Sequence, residues 1–114
     1  MSAVEEIEAA VAKLTKLRDE SVLGPWEGWK QYNPLRGNLY GIEARGAEVA
    51  KTYTVADTEL IETLHRTIDA QLKLLSGTLR LFAAAVDLGR EREWLSAVER
   101  AGDLDLARSI NATS

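Results

Sequence analysis

One side chain in this sequence titrates near neutrality when unperturbed, and that is His65. On a helix, Glu62 lies one turn before it and Asp69 one turn after, so either carboxylate could orient the imidazole. An acid–base site also needs a nucleophile or a second strong partner, and the spacing supplies neither. His65 therefore reads as a surface residue in a charged helical ladder. Glu59, Glu62 and Asp69, together with Asp57, form an acidic stretch of the kind that can hold a hard cation or divide acid and base roles. Arg66 and Lys73 follow Glu62 and Asp69 by four residues, which is the pattern of a salt-bridged solvent face. With no Cys in the chain, thiol nucleophiles, Cys-based zinc sites and disulfides are excluded. No G-x-G-x-x-G, G-x-x-x-x-G-K-[ST] or G-x-S-x-G run is present. No catalytic residue, no metal site and no cofactor is expected.

The more informative group is aromatic. Trp26, Trp29, Tyr32, Tyr40 and Tyr53 are interleaved with Lys30, Arg36, Arg45 and Lys51. Aromatics beside cations can stack the bases of a single strand or a sugar ring. Residues 24–54 hold four basic and three acidic side chains, a thin electrostatic footprint for nucleic acid. Packing a sheet against helices is the commoner use of such rings. A small sheet cannot bury all five, so one or two are expected to anchor a protein partner.

The elements that must carry these residues follow from periodicity. At 114 residues, 46% hydrophobic and 28% charged, the chain fits one soluble domain over 1–114. Val4, Ile7, Val11 and Leu14 recur at helical spacing, predicting a helix over 3–21 with Ser2 as its N-cap. Gly24-Pro25 ends it. Turn pieces at Asn33-Pro34, Arg36-Gly37-Asn38 and Arg45-Gly46 separate short β-rich runs, predicting a small antiparallel sheet. A first strand is expected over Trp26–Tyr32. A hairpin pairs Leu39–Ala44 with Ala47–Tyr53, setting Ile42 opposite Val49 and Tyr40 opposite Lys51. Thr54 to Asp57 resembles a capping box. Ile61, Leu64, Ile68, Leu72, Leu75, Leu79, Phe82 and Val86 then predict helix over 55–88, continuous through Ser76-Gly77-Thr78, the one place where a kink would be sought. Trp94, Leu95 and Val98 predict a helix over 90–101, Gly102-Asp103 a break, Leu104–Ile110 a last turn or two, and Asn111–Ser114 a frayed tail. Leu74, Leu81 and Leu88 lie outside the main stripe. With Trp94 they are the residues expected to support self-association.

The acidic, periodic N-terminal residues read as helix and not as a leader, and no run reaches the length of a transmembrane helix. The segment Leu17-Arg18-Asp19-Glu20-Ser21-Val22-Leu23-Gly24-Pro25-Trp26-Glu27, followed by a β-rich stretch and Ala56-Asp57-Thr58-Glu59-Leu60-Ile61, resembles small accessory proteins of actinobacterial phages and prophages. There a helix ends in Arg, small residues and Gly-Pro-Trp, and a later helix begins Ala-Asp-x-x-Leu/Phe-Ile. Leu23 stands where that group usually has Thr or Ser. The resemblance spans residues 14–75 and implies an α+β fold and a phage or prophage origin, with no assigned activity.

The expectation is an α+β domain: an N-terminal helix, a sheet of two or three antiparallel strands, a long helix and one or two short C-terminal helices. Its expected role is a non-catalytic interaction module in the bacterial cytoplasm, partnered by a host or phage protein or by a second copy, without membrane association. A nucleic-acid-binding regulator and a virion or assembly component are the alternatives, the former disfavoured by the net charge of −4.

Overall fold

Helix α1 (Ala3–Glu20) leads into strands β1 (Glu27–Asn33), β2 (Gly37–Ala44) and β3 (Ala47–Thr52). Helices α2 (Val55–Arg66), α3 (Ile68–Leu88), α4 (Glu91–Ala101) and α5 (Asp103–Asn111) follow. This computed structural model describes residues 2–22 and 24–112, so Leu23 and the last two tail positions lie outside the described residues. The architecture is α+β, as the sequence implies. The chain gathers into two units, a helical one from residues 1–19 and 69–114 and a sheet unit from residues 20–68.

In the helical unit, α1 starts on a reciprocal cap. The Glu5 amide donates to Ser2 Oγ at 3.1 Å, and the Ser2 amide donates to Glu5 Oε1 at 3.3 Å. The hydroxyl and backbone amide of Ser2 beside the Glu5 carboxylate hold it below the usual carboxylate range. One face of α1 is apolar and puts Ile7 and Ala10 fully out of water. They meet Leu75 of α3, Trp94 and Val98 of α4, and Leu104 and Ala107 of α5 in a single core. Phe82 lies against Trp94, with ring centroids 4.8 Å apart and planes tilted by 60°.

A buried polar chain runs through this core. Trp94 Nε1 donates to the Thr78 carbonyl at 2.9 Å. The Thr78 hydroxyl lies 2.6 Å from Asp103 Oδ2 and 2.9 Å from the Leu74 carbonyl. Asp103 opens α5, where a carboxylate favours the positive helix end. The expected fraying of the tail does not extend to Asn111. That residue is helical, and its side-chain amide donates to Glu6 O at 2.7 Å and Glu6 Oε2 at 3.0 Å.

The sheet unit is an antiparallel sheet in the order β1-β2-β3. Asn33 builds the first turn by accepting the Leu35 and Arg36 amides on its side-chain oxygen at 2.9 and 3.1 Å. Arg45 and Gly46 make the second turn with φ of 52° and 81°, the pair of positive values that a two-residue turn matching strand twist requires. The register differs from the expected one. A bulge after Ala47 and Glu48 leaves Val49 unpaired, so Ile42 faces Ala50 and Tyr40 faces Thr52. The slip puts Ala50 and Thr52 on the covered face and Lys51 on the other. Thr54 caps α2, accepting the Asp57 amide at 3.0 Å. Thr58, buried, brings its hydroxyl within 2.6 Å of that of Thr52, fastening α2 to the sheet.

The long helix is interrupted, and at a different place from the one sought. Ser76-Gly77-Thr78 is regular helix within α3, whereas Thr67 separates α2 from α3. The Thr67 hydroxyl and amide both donate to the Leu64 carbonyl, at 2.7 and 3.1 Å. The tighter three-residue hydrogen bond ends the α-helical ladder there. The apolar stripe loses its phase at this point: Leu64 is 56% exposed, although the spacing had placed it on the buried face.

Replacing Thr78 by Val keeps the shape and strips Asp103 of its buried partner. The expected cost is about 1–3 kcal/mol in urea unfolding. An unchanged midpoint would contradict the role assigned to this hydroxyl.

Candidate functional site

Two surfaces collect the residues singled out by the sequence. The first is the outer face of α3. Ala70, Leu74, Gly77, Leu81, Ala84 and Leu88 follow each other at alternating steps of four and three, one unbroken row along the helix. Leu74, Leu81 and Leu88 are 50%, 66% and 70% exposed. Large and small residues alternate strictly along the row. Beside it, Leu81, Ala84, Ala85 and Leu88 join the edge of Trp94 and Ala97 around an apolar hollow of about 330 Å³. Trp94 itself is a core residue and not part of the exposed surface. It is only 9% exposed and committed to the Thr78 carbonyl. The short residues between the leucines were missed from the sequence. Their signal is the heptad that they complete with Leu74, Leu81 and Leu88.

The second surface is the sheet. By register, Trp29, Gly41 and Lys51 form one row. The Trp29 indole covers Gly41, where a Cβ would come within 2.5 Å of Cε2 and Cζ2, so only glycine admits the ring. Trp29, Tyr53, Leu39, Lys51 and Arg36 line a hollow of about 280 Å³, and Tyr40 reaches its wall from the next row, between Lys30 and Thr52. Tyr53 is 91% exposed. The five aromatics do not form one cluster. Tyr32 is exposed away from this hollow. Trp26 precedes β1 and stacks on His65 with centroids 4.0 Å apart and planes 6° from parallel, its Nε1 donating to the Val22 carbonyl at 2.9 Å.

His65 is therefore half-buried under an indole and not a rung of a charged ladder. Neither expected bridge of that ladder, Glu62 to Arg66 or Asp69 to Lys73, is formed among the described residues. Arg66 donates to the Thr63 hydroxyl at 3.3 Å, and Asp69 pairs with Arg18 at 3.3 Å. The carboxylates of Asp69 and Asp19 raise Arg18 above its ordinary value. Among the described residues, no group of three His, Asp or Glu side chains could hold a metal ion. Among the described residues, no helix is long and apolar enough to cross a membrane. No family model, curated protein or solved structure matches this chain.

Gly41→Ala tests the indole platform. The added methyl must displace Trp29, at an expected cost of about 1–3 kcal/mol. A shift of tryptophan emission to longer wavelength should accompany it, and wild-type emission and stability would show that the ring does not rest there.

Proposed function

We propose that this chain is a non-catalytic interaction module whose partner at the α3 face is a second copy of itself. The observation that supports this reading is the exposed row of Leu74, Leu81 and Leu88 alternating with Ala70, Gly77 and Ala84. Two such rows laid antiparallel are self-complementary. With the two-fold axis beside residue 79, Leu74 of one copy meets Ala84 of the other, Gly77 meets Leu81, and Ala70 meets Leu88. Each large side chain then has a small one to pack over, which lets the helices approach closely. The same alignment sets Lys73 near Asp87 of the other copy twice, two opposite-charge pairs that flank the like-charged Arg80 side chains near the axis. A leucine row left in water without a partner has no comparable account.

On this reading the protein works in the cytoplasm of a bacterial host as a phage or prophage accessory factor. That provenance rests on the resemblance carried by Gly24-Pro25-Trp26 and Ala56-Asp57-Thr58-Glu59-Leu60-Ile61. The sheet hollow around Trp29 and Tyr53 is then the surface left for a different protein.

Sedimentation equilibrium tests the pairing. Wild type should show a monomer–dimer equilibrium, and Leu81→Glu should weaken it by at least about a hundredfold, because two charges would be pressed against Gly77. Circular dichroism should show the variant folded, since Leu81 is largely exposed. A strict monomer at millimolar concentration, or a variant that pairs as tightly as wild type, would overturn the reading.

A further inference from the structure

A third feature belongs neither to the leucine row nor to the sheet hollow. The side of α3 facing α1 carries Asp69, Leu72, Lys73, Ser76 and Arg80, and α1 brings Thr15 and Arg18 to them around an open cleft of about 590 Å³. Three cations share this cleft with one carboxylate, in a chain whose net charge is −4. Asp69 is already engaged, accepting from Arg18 Nη1 at 3.3 Å. Within one copy, Lys73 and Arg80 form no ion pair among the described residues, so two positive charges lie on one helix face with only Asp69 in the same cleft. The hydroxyls of Thr15 and Ser76 add donors, and buried Leu72 supplies an apolar patch.

This set of groups fits an anion. A guanidinium and an ammonium donate charge-assisted hydrogen bonds to phosphate oxygens, and hydroxyls complete the shell. The volume lies in the range of small-molecule sites. Asp69 at the edge and the acidic balance of the chain disfavour a long polyanion, whose binding depends on an extended run of cations. We propose that the cleft between α1 and α3 binds a small soluble molecule bearing a phosphate group. Lys73 and Arg80 contact the phosphate, Thr15 and Ser76 donate their hydroxyl hydrogens to it, and Asp69 holds Arg18 at the rim.

The test is a titration of the full chain with inorganic phosphate, followed by amide NMR shifts at constant ionic strength set with chloride. Saturable shifts centred on Thr15, Lys73, Ser76 and Arg80 are expected. Lys73→Gln and Arg80→Gln should each weaken binding about tenfold, the loss of one charge-assisted contact. Both side chains are exposed, so the rest of the spectrum should report an intact fold. Shifts that grow without saturating, that centre elsewhere, or that saturate in both variants as tightly as in wild type would overturn the proposal.

Discussion

The helical unit depends on how α3 is rotated about its own axis, and one buried polar chain decides that. Trp94 must spend its indole hydrogen on the Thr78 carbonyl, and Asp103 must find a donor in the Thr78 hydroxyl. Each buried polar group is costly if left unmatched, so the three satisfy one another or the core fails. With Thr78 and Leu75 turned inward, α3 has no freedom to bury Leu74, Leu81 and Leu88 as well. The exposed leucine row is thus a consequence of interior hydrogen bonding. The same rotation sends Lys73, Ser76 and Arg80 toward α1.

The sheet unit is governed by a comparable local constraint. The bulge at Val49 changes which side of β3 each residue occupies, and that places Thr52 where its hydroxyl meets Thr58. It also places Lys51 in the row of Trp29 and Gly41. A strand without the bulge would have turned Lys51 toward α2 and taken Thr52 away from Thr58, leaving that hydroxyl the Thr54 carbonyl alone.

The element order, the capping residues Ser2 and Thr54, the Arg45-Gly46 turn and the short C-terminal helices were legible because each is a local signal. The register beyond Ile42 was not, because a bulge leaves no mark in the alternation of so short a strand. The helix break was sought at Gly77, where propensity is weakest, but it occurs at Thr67, whose side chain competes for a backbone carbonyl. Apolar spacing alone could not show that the stripe changes phase there. Spacing alone groups Trp94 with the exposed leucines as a self-association residue, whereas it is 9% exposed. Its burial depends on Phe82, Thr78 and the start of α5, none of which is near it in sequence. The stacking of Trp26 on His65 was hidden for the same reason.

The proposed seam and the proposed anion cleft share a boundary at Lys73 and Arg80, so an anion held in one would bear on the charge balance along the other, and linkage requires any such effect to be mutual. Both rest on the orientation of α3, and the antiparallel pairing of that helix is the claim with the most geometric content. Spin labels placed singly at Arg80 and at Asp87 measure it by dipolar spectroscopy. An axis beside residue 79 puts the two labels at position 80 about 3 Å apart along the helix axis and those at position 87 about 24 Å apart. A short distance at 80 and a long one at 87 is the predicted result; equal distances at the two positions, or no dipolar coupling at either, would contradict it.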